Sequence, residues 1–174
     1  MPKIIENLEH RLMAEARRQI EEGDYATTTI RSVAAGVGVG VGTVYNYFTS
    51  KDDLTAAYLL EDWGGCIAVI QDVSDGAEAV CTVLQSIFQQ LRLFTQRHQK
   101  VFQNPEAVAS FSRSYSRYHN LMRTQLSELL EKFYQDRFLA EFVAEAMLIN
   151  HRNVCLHPSE GQESQTRCRQ SWFS

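Results

Sequence analysis

Proline is scarce in this chain, three in 174 residues, and strand-like alternation is confined to one Gly-Val run. With so few helix breakers and so little period-two patterning, an all-α class is favoured. No apolar run is long enough to span a bilayer, and no signal-peptide core is visible. The expectation is a cytoplasmic protein with no membrane partner. Its four cysteines, Cys66, Cys81, Cys155 and Cys168, lack the close spacing of a disulfide framework, so free thiols are the default in a reducing compartment. Positive charge is also short. A net charge of −4 argues against a non-specific nucleic-acid coat, which is basic all over, yet leaves room for a local DNA-reading face.

Catalytic and cofactor motifs are missing too. The run from Gly36 to Gly42 alternates glycine and valine, but the third glycine of a dinucleotide fingerprint falls on Val41 or Thr43. No Gly-Lys-Ser/Thr follows, so neither phosphate-loop reading holds. His151, Cys155, His157 and Cys168 match no recurrent zinc spacing. No nucleophile sits in a recognisable base context. The reading is therefore not an enzyme, with no metal and no cofactor.

What is present is a pair of short helical patterns over residues 28 to 51. Ile30, Val33, Ala34 and Val37 recur at i, i+3, i+4 and i+7, the stripe of one short helix. Thr29 precedes it as a cap, and Gly38 ends it with the positive φ that a sharp turn needs. Val44 and Phe48 then face inward from a second helix, making a helix-turn-helix. Thr43 and Asn46 point outward, where they can exchange hydrogen bonds with base edges. The Tyr45 and Tyr47 hydroxyls reach for phosphates, and Lys51 adds a charge to the backbone contact. Gly40 and Gly42 leave the helix start bare for close approach to a phosphate. No acid lies between Asp24 and Asp52, whereas Arg31 and Lys51 both do: an electropositive window in an acidic chain.

The run Thr29-Ile-Arg-Ser-Val-Ala, then Gly38-Val, then Gly42-Thr-Val-Tyr-Asn-Tyr-Phe and Ser50-Lys-Asp-Asp-Leu54 resembles the DNA-binding domain of the TetR family of bacterial transcriptional regulators. The resemblance covers about the first third of the chain. It implies a three-helix reader followed by a larger helical part for ligand binding and dimerisation. It also implies that Thr29, Arg31, Val41, Gly42, Thr43, Tyr45, Asn46, Tyr47 and Lys51 lie at the DNA. Gly36 and Gly40 depart from the family's usual alanine and serine, and each glycine inside a helix costs roughly 1 kcal/mol relative to alanine.

Three segments follow: a reader over 1–50, a helical effector-binding and dimerisation domain over 51–150, and an irregular tail over 151–174. A first helix over 3–22, with Ile5, Leu8, Leu12, Ala16 and Ile20 inward, braces the reader. Ser50 caps a fourth helix that contains Trp63-Gly64-Gly65, either a hinge or an ordinary bend. An amphipathic helix occupies 77 to about 103, including Phe88 and a turn near His98. Asn104-Pro105-Glu106 starts another, and Phe138, Phe142, Ala146 and Ile149 start a last one. Phe111, Tyr115 and Tyr118, with Trp63 and Phe88, are packed core or the wall of an apolar effector cavity. His119 either meets a ligand there or satisfies a core hydrogen bond. The family closes with a further long helix at a dimer interface, a pattern missing after residue 150, as if that end had been lost or replaced.

The function so read is a transcriptional regulator, a repressor released from its double-stranded operator by a small apolar effector and working as a homodimer. The alternative is a helical interaction protein with a vestigial reader and a damaged dimerisation end.

Overall fold

The computed structural model describes residues 7–134 and 136–156, with side chains at all of these except 110–119 and 149–156. Eight helices run through them, and no strand occurs among the described residues. The first four are α1 (Leu8–Glu22), α2 (Ile30–Val37), α3 (Val41–Tyr45) and α4 (Lys51–Gly76). The others are α5 (Val80–Arg97), α6 (Gln99–Phe102), α7 (Pro105–Glu131) and α8 (Arg137–Leu156).

Local chemistry sets most boundaries. Asn104 caps α7, its Oδ1 accepting from the Glu106 and Ala107 amides at 3.0 and 3.1 Å, with Pro105 at the first position where no donor is needed. Ser50 caps α4 by accepting from the Asp53 amide, and Asp53 reaches back to the Thr49 amide at 2.8 Å. Gly38 sits at φ 77°, and Val39 N–H donates to the Ala34 carbonyl at 2.9 Å. That left-handed cap ends α2 and turns the chain toward α3.

The core is continuous from Leu8 to Leu148. α1 buries Leu8, Leu12, Met13, Ala16 and Ile20 against α2 and α4. α4 packs along α5 and α7, and α7 along α8. Trp63 is 2% exposed, stands edge-on to Phe94 of α5, and donates its Nε1–H to Gln125 Oε1 of α7 at 2.8 Å. α4 is therefore clamped to both neighbours just before Gly64 and Gly65. The helix is continuous through that pair, and a Cβ at either glycine would meet nothing within 4 Å.

Two expectations change. α8 is helical to Leu156, so the irregular tail placed at 151–174 begins no earlier than 157. No glycine or proline occurs between Arg137 and Leu156 to interrupt it. The buried face of α8 also differs. Ala140, Ala144 and Leu148 point inward, while Phe138 and Phe142 are 75% and 62% exposed. Small residues at a helix contact let the axes approach, so the alanine face rather than the phenylalanine face lies against α7. Ile5 and the rest of the predicted tail fall outside the described residues.

Candidate nucleic-acid interface

α2 and α3 are held by what they bury. Ile30, Val33 and Ala34 of α2, then Val44 and Phe48, are all inside. Arg11 of α1 donates to the last carbonyl of α2, Val37 O, at 3.3 Å. With Val44 and Phe48 fixed, Tyr45 and Tyr47 are turned outward, 54% and 47% exposed. Asn46, Gly42, Thr29 and Arg31 are exposed as well, and Val41 and Thr43 are half-buried. α3 is only five residues long. Asn46 forms its C-cap and Tyr47 continues the turn, with Tyr47 N–H donating to Val44 O at 2.9 Å.

Lys51 is more committed than its charge alone implies. Its Nζ donates to the Tyr25 carbonyl at 3.0 Å and lies 3.9 Å from the centre of the Tyr25 ring. The Tyr25 hydroxyl in turn donates to Asp52. Burial and that bond push the Tyr25 pKa well above its ordinary value. The ammonium keeps donors for a phosphate, on a base anchored to the joint between α1 and α2.

The N-terminus of α2 carries a reciprocal cap. Thr29 Oγ1 accepts from the Ser32 amide, and Ser32 Oγ accepts from the Thr29 amide, both at 3.0 Å. Serine in place of the usual glutamate or glutamine hides this box from a sequence pattern. Ser32 Oγ also donates to Gln19 Oε1 of α1 at 2.6 Å. Gln19 does not stand out in the sequence as part of the reader.

Of the residues proposed for an effector cavity, Trp63 and Phe88 have described side chains. Trp63 belongs to the packed core, whereas Phe88 is 42% exposed on the outer side of α5. The side chains of Phe111, Tyr115, Tyr118 and His119 fall outside the described ones. A cleft of about 390 Å³ lies elsewhere, between the end of α1 and the α5–α6 corner, lined by Ile20, Tyr58, Arg97, His98, Lys100 and Val101 among others. Lys100 Nζ crosses this corner to donate to the Glu21 and Gly23 carbonyls at 2.7 and 3.0 Å, closing the C-terminus of α1.

Comparison with known proteins follows this geometry. The profile of the family described as bacterial regulatory proteins, tetR family, matches residues 12–58. The HTH-type transcriptional regulator HbdR of Aromatoleum sp. (strain CIB) is 38% identical over 53 residues, 30% of this chain and 23% of that protein. The chain thus spans about a quarter of that curated relative's length. Among solved structures, the TetR family repressor AlkX from Dietzia sp. strain DQ12-45-1b superposes with a TM-score of 0.66 at 17% identity, over 84% of each chain. FadR from Bacillus halodurans gives 0.57 at 22% identity, over 87% of this chain and 86% of that one. FadR from Bacillus subtilis, solved with stearoyl-CoA, gives 0.58 at 17% identity, over 88% of each. Beyond residue 58 the likeness is one of fold.

Proposed function

We propose that the chain, whose residues 12–58 match the family described as bacterial regulatory proteins, tetR family, is a transcriptional repressor that reads an operator as a homodimer. One observation carries this reading: Val44 and Phe48 are sunk in the core, which turns Tyr45, Asn46 and Tyr47 out to solvent. No acid lies between Asp24 and Asp52 to repel a phosphate. Asn46 and Thr43 read base edges. Thr29, Arg31, Tyr45, Tyr47 and Lys51 hold the strands, with Val41 and Gly42 against the groove.

Two readers in a dimer enter successive major grooves about 34 Å apart. The partner face is α8, where Phe138, Leu139 and Phe142 are exposed, with Leu121 of α7 exposed as well. Exposed apolar residues of this size on one helix are what a partner surface would cover. A small apolar effector in the helical part releases the operator by favouring a different reader spacing. No helix of the described residues is long and apolar enough to cross a membrane, which supports a cytoplasmic site of action.

A gel-shift and footprint on the DNA upstream of the chain's own gene test the proposal. The parent protects a palindromic site there. Asn46→Ala narrows the gap between operator and random DNA, while Arg31→Ala weakens both alike and flattens the salt dependence. Indifference of both variants, on operator and random duplex, overturns the assignment.

A further inference from the structure

We infer that Gln19, on the bracing helix α1, is a positioning residue of the reader: with Glu15 it fixes the first turn of α2 through a one-directional chain of hydrogen bonds. The inference rests on the DNA-binding reading above. Every link is at hydrogen-bond distance. Arg18 donates to both Glu15 oxygens, Nε to Oε2 at 2.9 Å and Nη2 to Oε1 at 2.7 Å. Gln19 Nε2–H donates to Glu15 Oε1 at 2.7 Å, which orients the amide so that Oε1 faces α2. Oε1 accepts from the Ser32 hydroxyl at 2.6 Å, and Ser32 Oγ accepts in turn from the Thr29 amide. Thr29 Oγ1 then accepts from the Ser32 amide.

Donor counting gives this chain its meaning. The Ser32 hydroxyl has one hydrogen. Its two acceptors in reach are Gln19 Oε1 at 2.6 Å and its own turn's Thr29 carbonyl at 2.8 Å. Gln19 takes the shorter bond and ties the turn to α1. The Thr29 hydroxyl already accepts from Ser32, so its own hydrogen is left to donate outward from an exposed residue. Two residues on, Arg31 is exposed in the same first turn. A donor and a cation at the start of α2 are therefore set by a side chain that is itself remote from the outward-facing residues.

Gly36 supplies an independent observation. A Cβ there would lie 2.6 Å from Glu15 Cδ and closer still to the carboxylate. The glycine makes room for the group at the root of the chain. The Arg18 guanidinium also holds the Glu15 pKa below the ordinary carboxylate value, so the root is charged at neutral pH.

The test uses full-length protein and a mixed-sequence DNA duplex, with binding followed by fluorescence anisotropy across a salt series. Gln19→Leu is expected to lower affinity roughly tenfold, the loss of one hydrogen bond to a charged phosphate. It should also reduce the slope of log K against log salt by about one per reader as Arg31 loses its phosphate. Gly36→Ala is the sharper variant. A merely structural role predicts a higher melting temperature and intact binding, because alanine favours the helix, whereas displacement of Glu15 reproduces the Gln19→Leu loss. Thr29→Ala combined with Gln19→Leu should cost no more than Gln19→Leu alone. A parent that fails to bind duplex overturns the regulator reading and this inference with it. A parent that binds, with Gln19→Leu and Gly36→Ala keeping its affinity and slope, overturns the inference alone.

Discussion

His98 should make the fold acid-sensitive. Its side chain is 1% exposed at the α5–α6 corner, packed by Phe94 at 4.7 Å, Tyr58 at 5.8 Å and Phe102 at 6.3 Å between ring centres. The charged groups facing it are Asp62 of α4, whose Oδ2 lies 3.1 Å from His98 Nε2, Arg17 of α1 and Arg97 of α5. Burial, reinforced by the two arginines, pushes its pKa down from 6.5 to about 4. The unfolded chain thus binds a proton that the folded chain refuses. Stability is full above the unfolded value and falls as pH drops through 6.5 toward the folded value. Between about pH 7 and about pH 4.5 the linkage removes roughly 2–3 kcal/mol. Asp62 opposes this in part, because burial raises its pKa and its protonation in acid favours the fold. His98→Gln keeps a polar group toward Asp62 but cannot titrate, so comparing parent with variant cancels the Asp62 contribution to first order. Urea unfolding of both across that pH range is the assay. The parent should lose roughly 2–3 kcal/mol more than the variant. Parallel stability curves refute the reasoning.

Three other outcomes follow from the same geometry. Gly40 caps α3 at φ −70°, ψ 146° with no side-chain bond, and a Cβ there meets only Thr43 Oγ1 at 3.7 Å. Gly40→Ser should add roughly 0.5–1 kcal/mol, seen as a higher urea midpoint; a lower midpoint contradicts the cap geometry. Gly64→Ala with Gly65→Ala should add roughly 2 kcal/mol together, since neither methyl has a neighbour. A fall in melting temperature would mean that α4 needs the freedom of those glycines to bend. Phe142→Glu should give monomers by sedimentation with unchanged far-UV circular dichroism, because the ring is 62% exposed. A parent already monomeric at the same concentration removes the proposed dimer.

The reader was legible in the sequence because its signals are local. A cap at Thr29, a left-handed glycine at Gly38 and an inward pair at Val44 and Phe48 are each decided within a few residues, and the structure keeps all three. Asn104-Pro105-Glu106 is legible for the same reason. The face of α8 was not. Period and hydrophobicity select the bulky Phe138 and Phe142, while the packed face is chosen by how closely α7 approaches, which favours Ala140 and Ala144. Residues 151–156 were missed as helix because a mostly polar stretch with no apolar period looks like a tail. Gln19 was invisible because its partner Ser32 is thirteen positions away, and no periodic pattern encodes a polar contact between two helices. Phe88 read as packed core or cavity wall, yet it sits just outside the stripe of Val83, Ile87, Leu91 and Phe94 that α5 buries.

The least noticed helix of the reader thus connects everything else. Arg17 and Arg18 are neighbours in sequence, and adjacent helical residues point about 100° apart. Arg18 turns to Glu15 and Glu22 on its own helix and so anchors the chain of bonds that ends at Thr29. Arg17 turns to α4, with Nη2 at 2.6 Å from Asp62 Oδ1 and 3.3 Å from Glu61 Oε2, and lies 5.6 Å from the Tyr58 ring centre. Asp62 is also the carboxylate that faces His98 at the α5–α6 corner, and Lys100 from that corner returns to the last carbonyls of α1. α1 therefore meets α4 through Arg17 and the α5–α6 corner through Lys100. The start of α2 is held by that same helix, through Glu15, Gln19 and Ser32.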